Sequence, residues 1–242
     1  IDDYKFIGNS NTIIKVKQLI DKVAPTSSRV IIYGDSGTGK DLVAKEIHKN
    51  SKYSDGNFII VNSALMEPDG IEEELFGLEE NSRIIKQGFF EQANNGTLFI
   101  DEIGDMPIQT QSKILRVLTD SSFYRVGSNK PVNVNVRLLC SSTESLEKLV
   151  ENGNFRMDLF HRLNVVSITL PKLSDRTQDI DELIEYFSKI YSTNANSNTS
   201  DLRDYIKTNY MNYDWPGNVR ELRNIVERYC IIGGKITENK EQ

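Results

Sequence analysis

The feature that most constrains the fold is a regular alternation of short β-rich runs with amphipathic stretches between Arg29 and Cys140. In chain order the segments are RVIIY, KDLVAKEIHKN, NFIIVN, IEEELF, TLFID, QSKILRVLTD and VNVRLLC. Such alternation predicts a parallel β-sheet with helices on both of its faces. Strands buried on both faces account for the unbroken apolar runs.

Beyond Pro171 the pattern changes to helical periodicity without strand-like runs. The helical stretches are DIDELIEYFSKIY, DLRDYIKTNYM and NVRELRNIVERYCII. The polar segment STNANSNTS, over residues 192–200, is predicted to connect two of these helices. The sequence therefore predicts an α/β domain over residues 1–172, followed by a smaller all-helical subdomain over residues 173–242.

Composition and charge exclude several classes of protein. The apolar fraction of 38% is enough to bury a core. The 35 acidic and 29 basic side chains leave a net charge of -6, which argues against a dedicated nucleic-acid-binding domain. No apolar run approaches the roughly 18 residues that cross a bilayer, and there is no signal-peptide pattern. We expect a cytoplasmic protein without membrane contact and, since the first residue is Ile1 rather than Met, a piece of a longer chain.

A glycine-rich loop, GDSGTGKD over residues 34–41, joins a β-rich run to a helical stretch. Its glycines can turn backbone N–H groups toward phosphate oxygens, Lys40 adds a positive charge, and the following helix offers its positive end. Asp41 stands where a Ser or Thr usually holds magnesium, but its carboxylate can bind a water of the magnesium shell or cap the first helical turn. The candidate nucleotide contacts are Gly34, Asp35, Ser36, Gly37, Thr38, Gly39, Lys40, Asp41 and Leu42.

Two adjacent carboxylates end the apolar run of GTLFIDE. In a sheet that carries a phosphate loop, this strand end faces the phosphates. Asp101 is therefore a candidate to orient magnesium, and Glu102 a candidate to polarise the attacking water. Together with the loop, the pair predicts binding of ATP or ADP with Mg²⁺.

Five motifs in order resemble the AAA+ ATPase domain of sigma-54-dependent, NtrC-family transcription activators. The motifs are GDSGTGKDLVAKEIH, ELFG, GTLFIDEIGDMPIQTQSKILRVL, FRMDLFHRL and WPGNVREL. The resemblance covers almost the whole chain and implies an α/β P-loop AAA+ sheet sandwiched by helices, with a helical lid after it. It also implies head-to-tail self-assembly, and in that family an acidic residue is usual at the position of Asp41.

The resemblance also implies roles for individual residues. Asn62 matches the asparagine that restrains the catalytic glutamate. The stretch LLCSST matches the sensor I segment, which puts Ser142 or Thr143 near the γ-phosphate. Ile7 and Gly8 match the stretch beside the adenine ring.

Three arginines are candidates by the same resemblance. Arg156 and Arg162 match the pair that acts on the ATP of the neighbouring subunit, and Arg220 matches the sensor II arginine of the lid. On a straight helix, Arg156 and Arg162 would lie about 120° apart, so either the helix breaks between them or only one is the finger. The alternative for Arg220 is a salt bridge within the lid, to Glu221 or Asp214.

The chain departs from the activators in one segment. They carry a Gly-Ala-Phe-Thr-Gly-Ala loop that grips the sigma factor, whereas the segment between Gly77 and Gly88 lacks that hexapeptide and is shorter. This departure argues against sigma-54 contact. In this segment the chain is most similar to regulators of the NtrX type. That likeness implies a receiver domain before residue 1, a helix-turn-helix DNA-binding domain after residue 242, and a partner sensor histidine kinase in a two-component system.

Two functions follow from these observations. The first is an ATPase motor, with ATP at each head-to-tail interface and arginine fingers supplied in trans. The second is a nucleotide-sensing oligomerisation module with little hydrolysis, which regulates DNA binding without sigma-54 contact.

Overall fold

A computed structural model of the chain describes residues 4–192 and 199–232. The strands are β1 (Val30–Tyr33), β2 (Phe58–Asn62), β3 (Leu78–Glu80), β4 (Arg83–Lys86), β5 (Thr97–Asp101), β6 (Ser122–Tyr124), β7 (Pro131–Asn133), β8 (Arg137–Ser142) and β9 (Val166–Thr169). The helices are α1 (Asn11–Val23), α2 (Lys40–Lys49), α3 (Ile71–Phe76), α4 (Phe89–Gln92), α5 (Ile108–Asp120), α6 (Leu146–Glu151), α7 (Met157–Leu163), α8 (Ile180–Tyr191), α9 (Thr199–Asn209) and α10 (Asn218–Ile232).

The chain divides into two compact units, which we call the core unit and the lid unit. The core unit comprises residues 16–34 and 40–169. The lid unit comprises the described residues before 16, residues 35–39, and the described residues after 169. The boundary predicted after residue 172 stays a prediction.

The core unit contains a five-stranded parallel sheet in the order β2-β5-β8-β1-β9. The predicted parallel α/β sheet with helices is confirmed. Every residue of the six-residue strand β8 is buried, as the continuous apolar runs require. Strand β9 is not among the predicted strands because Ser167 and Thr169 interrupt its apolar residues, so it forms no continuous apolar run in the sequence.

The segment between Gly77 and Gly88 forms a short antiparallel hairpin of β3 and β4. Asn81 and Ser82 join the strands, and both have positive φ angles, 49° and 63°. Two such residues are typical of the tight two-residue turn that closes a hairpin. A compact hairpin therefore occupies the segment in which the activators carry their loop.

The lid unit is helical, as predicted. Helix α8 packs against α9 and α10 around a buried apolar cluster that includes Phe187, Trp215 and Leu222. Tyr4 and Ile7, from the beginning of the chain, pack against the same cluster. The predicted connection over residues 192–200 lies largely outside the described residues.

None of the helices within residues 4–192 and 199–232 is both long enough and apolar enough to cross a membrane.

Candidate nucleotide-binding site

The carboxyl ends of the central strands bring several predicted residues of the core unit together. Strand register pairs Asn62, the last residue of β2, with Asp101, the last residue of β5. Ile100 is paired with Cys140, so the next residue of β8, Ser141, lies beside Asp101. Side chains that are 39 or 40 positions apart in sequence thereby meet at one edge of the sheet.

Lys40 begins helix α2 and directs its amine to this edge. Its side chain is only 8% exposed. The Nζ atom donates to the Gly34 carbonyl at 2.7 Å, lies 3.4 Å from Glu102 Oε1, and is 3.5 Å from Thr143 Oγ1. A buried ammonium held by a carbonyl and a carboxylate is ready to exchange these partners for phosphate oxygens.

Glu102 adopts a left-handed backbone conformation, with φ and ψ both 54°. Its carboxylate accepts hydrogen bonds from Thr143 N at 3.0 Å and from Thr143 Oγ1 at 2.6 Å. The Ser142 hydroxyl instead donates to the Glu144 carbonyl, so of the two sensor I candidates it is Thr143 that faces Glu102. Burial, reinforced by the negative charge of Glu102, raises the pKa of the nearby Asp105.

Asp101 is held by two side chains. Ser141 Oγ donates to Asp101 Oδ1 and also accepts the Glu102 N–H at 3.1 Å, so this one hydroxyl ties the two acids together. Ser141 is fully buried and is not among the predicted site residues. In the sequence, Ser141 shows only as part of a predicted strand. The register of β8 against β5 is what brings its hydroxyl to Asp101.

Asn62 contacts Asp101 rather than Glu102. Its Nδ2 atom lies 3.5 Å from Asp101 Oδ2, and its Oδ1 atom accepts the Ala64 N–H at 3.0 Å. Glu102 is engaged by Thr143 and Lys40 instead. Control of Glu102 by Asn62 therefore stays a prediction.

In the lid unit, residues 35–39 of the glycine-rich loop contact the start of helix α10. Arg220 Nη1 donates to Ser36 Oγ at 3.1 Å, and Arg220 N donates to the Gly37 carbonyl at 3.2 Å. Asn218 Nδ2 donates to the Ser36 carbonyl at 3.0 Å. A Cβ atom on Gly37, which has φ +81°, would lie 2.3 Å from the Gly217 carbonyl oxygen, so only glycine fits there.

The remaining loop residues have distinct surroundings. The Thr38 hydroxyl is buried and donates to the Asp35 carbonyl at 2.7 Å, while Asp35 forms an ion pair with Lys172. Asp41 is exposed in the first turn of α2, where its charge favours the positive end of the helix, and Leu42 is half-buried. Gly39 has φ +100°, which glycine adopts without strain.

Arg220 contacts the glycine-rich loop, whereas Glu221, one of its two predicted alternative partners, is bound by other residues. Glu221 accepts hydrogen bonds from the Tyr213 hydroxyl at 2.6 Å and from Gly217 N at 2.9 Å. The Arg220 guanidinium donates to Ser36. Arg220 thus donates to Ser36 rather than forming the predicted alternative salt bridge to Glu221 or Asp214, and its sensor II role stays a prediction.

Arg156 and Arg162 do not share one straight helix. Arg156 precedes α7 with an extended backbone, φ -75° and ψ 131°, and its N–H donates to Gln111 Oε1 at 2.8 Å. The Arg156 guanidinium pairs with Asp158, whereas exposed Arg162 donates to the Leu118 carbonyl at 3.0 Å. The helical separation of about 120° therefore does not apply to this pair.

Ile7 and Gly8 lie in the lid unit. Ile7 is half-buried and Gly8 is buried, with φ +140°. Arg176 donates to the Ile7 carbonyl, and Asp179 accepts the N–H of Asn9, the residue after Gly8; the sequence motifs identify neither Arg176 nor Asp179.

Comparison with known proteins matches nearly the whole chain. The family model described as the sigma-54 interaction domain matches residues 6–169, and that of an AAA+ ATPase lid domain matches residues 174–239. A nitrogen assimilation regulatory protein, NtrX of Azorhizobium caulinodans, is 42% identical over 232 residues, which are 96% of this chain and 51% of that protein.

Solved structures give the same result. NtrX from Brucella abortus in complex with ATP is 40% identical with a TM-score of 0.83, over 98% of this chain and 52% of that one. The same protein in complex with ADP is 41% identical with a TM-score of 0.82, over 98% and 53%. The chain spans about half the length of these relatives. It belongs to the sigma-54 interaction domain family, is matched by an AAA+ lid domain as well, and is similar to regulators named NtrX and NtrC.

Proposed function

We propose that this chain binds ATP and hydrolyses it as the AAA+ domain of an NtrX-like regulator. The observation that carries the proposal is the cluster of Lys40, Glu102 and Thr143 beside Asp101, at the end of the glycine-rich loop. The solved NtrX structures in complex with ATP and with ADP support nucleotide binding.

In this proposal the loop N–H groups and Lys40 hold the phosphates, and Glu102 is the general base. The Glu102 carboxylate is occupied by Lys40 and Thr143 in the structure. A γ-phosphate carries more negative charge than a carboxylate and attracts the same two donors. Their transfer to the phosphate frees Glu102 to accept a proton from the attacking water.

Asp101 is the proposed contact to magnesium. Among the described residues there is no group of three or more His, Cys, Asp or Glu side chains that could hold a metal. That fits Mg²⁺, which is usually bound through one or two carboxylates together with substrate phosphates and waters. Asp101 supplies such a carboxylate, already oriented by Ser141 and Asn62. When bound, magnesium neutralises charge on the phosphates.

Arg156 and Arg162 are the proposed fingers in trans. Arg162 is exposed and Arg156 is half-buried, so both guanidinium groups can reach a neighbouring copy if they leave their present partners. A finger supplied in trans is worth about 10³–10⁵ in turnover, so hydrolysis should rise with assembly. A head-to-tail contact gives a ring if it closes and a filament if it does not.

The tight hairpin favours a second function. Since Asn81 and Ser82 close β3 onto β4, the segment offers no room for a sigma-gripping loop. A motor without that loop needs another target, whereas a nucleotide-sensing module does not. In this alternative, nucleotide sets the oligomeric state and little energy is released by hydrolysis.

Binding and turnover are tested separately. Isothermal titration with ATP and magnesium should give heat with the wild-type chain and at least tenfold weaker binding with Lys40→Ala, while Lys45→Ala on the same helix serves as the control. Absence of any heat from folded wild-type protein would refute nucleotide binding.

Phosphate release is then measured across a range of protein concentrations. Glu102→Gln should lower turnover by about 10²–10⁴, and Arg162→Ala should abolish its rise with concentration, with Glu147→Gln as the control. Equal background rates for wild type, Glu102→Gln and Arg162→Ala would favour the sensing module.

The domain organisation and partners of the full-length protein are proposed from its relatives. We infer a cytoplasmic regulator with a receiver domain, a helix-turn-helix DNA-binding domain and a cognate sensor kinase, because the chain resembles regulators of the NtrX and NtrC type and spans about half of their length.

A further inference from the structure

Arg176 and Asp179 form a buried ion pair in the lid unit. Arg176 is 3% exposed and Asp179 is not exposed at all. Arg176 Nε donates to Asp179 Oδ2 at 2.9 Å. A charged pair so deeply buried is tolerated only when its other hydrogen-bonding positions are also satisfied, so those partners indicate what the pair does.

The other hydrogen bonds of the pair go to residues near the beginning of the chain. Asp179 Oδ1 accepts Asn9 N at 2.9 Å and Ser10 N at 2.8 Å, and Oδ2 accepts Ser10 Oγ at 2.6 Å. Arg176 Nη2 donates to the Ile7 carbonyl. Burial alone would raise the pKa of Asp179, but these hydrogen bonds and the Arg176 charge outweigh it and hold that pKa below its ordinary value.

Gly8 is pressed directly against the pair. A Cβ atom at this position would lie 2.2 Å from Arg176 Nη2 and 2.8 Å from Asp179 Oδ2. The φ angle of +140° is also one that side chains rarely adopt. The pair therefore holds polar backbone groups on both sides of Gly8, in a conformation that glycine adopts without strain.

The preceding residues are attached to the same unit. The Tyr4 hydroxyl lies 2.5 Å from the Tyr191 hydroxyl, and Lys5 N donates to Tyr186 Oη at 2.8 Å. The Arg223 guanidinium lies 5.1 Å from the centre of the Tyr4 ring. Residues 4–10 are thus bonded along their length to lid helices and to the turn before α8.

We propose that Arg176 and Asp179 are positioning residues that fix the Ile7–Gly8 backbone so that the nucleotide site selects adenine over guanine. This inference rests on the proposed function and on the family resemblance, which predicts that Ile7 and Gly8 lie beside the adenine ring. Adenine and guanine present opposite donor and acceptor patterns on their pairing edges. A backbone in one fixed orientation matches only one pattern, and a backbone free to rotate its peptide groups can match either.

The conservative variant Arg176→Lys tests this role. Lysine keeps the charge opposite Asp179 but cannot reach both that carboxylate and the Ile7 carbonyl. We expect the dissociation constant for ATP to rise about tenfold and that for GTP to change little, because the loss of one charge-assisted hydrogen bond is of this size. The preference for ATP over GTP therefore falls about tenfold.

Three ligands separate the base from the phosphates: ATP, GTP and inorganic triphosphate, each titrated with magnesium into the complete chain. Arg203→Lys is the matched control, since Arg203 is also in the lid but pairs with Glu185 at the surface. Gly8→Ala is a second variant, which disturbs the pair from the other side and should lower the same preference. Melting curves establish that each variant is folded.

The results distinguish the two proposals. A lower preference for ATP in Arg176→Lys and Gly8→Ala, with triphosphate binding unchanged, supports the inference. An unchanged preference, equal weakening of all three ligands, or a wild-type chain that binds ATP and GTP equally well overturns it while nucleotide binding stands. A wild-type chain that binds neither nucleotide nor triphosphate refutes the proposed function and the inference together.

Discussion

Arg125 offers a sharp test of how the hairpin is held in the core unit. Its side chain is 10% exposed and lies between Glu79 of β3, 7% exposed, and Glu91 of α4, 18% exposed. The guanidinium donates to Glu91 at 2.7 and 3.1 Å and to Glu79 at 3.1 Å. Hydrogen bonding to Glu91 is the first cause of a raised Arg125 pKa, so the cation persists at every working pH.

The substitution Arg125→Ala leaves two buried carboxylates without their cation. Removing one partner of a buried pair costs about 3–5 kcal/mol, and the partial exposure of Glu91 places this case near 3 kcal/mol. At about 2–4 °C per kcal/mol for a chain of this size, the Tm should fall by about 6–12 °C.

Differential scanning calorimetry of the wild type and the variant measures the loss in Tm. Arg116→Ala is the control, because Arg116 is 53% exposed and pairs with Asp120 at the surface, where the loss should stay below about 1 kcal/mol. Equal Tm losses for Arg125→Ala and Arg116→Ala would refute the reasoning.

Two further predictions concern the loop and the sheet. Gly37→Ala should weaken ATP binding at least tenfold in calorimetric titration, because a left-handed backbone costs alanine about 1–2 kcal/mol and the new methyl group meets the Gly217 carbonyl. The control is Gly153→Ala, since Gly153 has φ +76° but no atom within 4 Å of the new methyl group. This variant should bear only the backbone cost and bind ATP as the wild type does. Burial, and after it the charge of Arg137, lowers the pKa of His48 in the folded chain. As the pH drops through about 6.5, the unfolded chain therefore takes up the proton first and the folded chain loses stability. His48→Gln should lose less Tm than the wild type between about pH 7.5 and about pH 5.5, and an identical loss in both proteins would contradict the lowered pKa.

Local sequence pattern is sufficient for the central strands and for the acids that end them. The runs that form β1 and β5, and the apolar part of β8, are continuous in apolar residues because neighbouring strands and helices cover both faces, whereas the edge strand β2 leaves Ile60 exposed. Since parallel strands end at the same edge, the sequence alone places together the polar residues that follow such runs.

The contacts that were missed depend on distance along the chain rather than on local pattern. Ser141 reads as part of an apolar strand, and only register reveals that its hydroxyl bridges Asp101 and Glu102. Asp179 meets Ser10 across 169 positions, and neither residue lies in a recognisable motif. The sequence left open whether Arg156 and Arg162 share one helix, because a helix that begins just after Arg156 leaves no sign in a short stretch.

The left-handed backbone at Glu102 has a consequence for protein engineering. Glycine adopts φ and ψ of 54° without the penalty of about 1–2 kcal/mol borne by a long side chain. Glu102→Gly would relieve that penalty, but it would also remove the acceptor of the two Thr143 hydrogen bonds and leave the buried Lys40 ammonium without its carboxylate. A directed-evolution campaign that selects only for heat resistance should therefore retain the glutamate at this strained position.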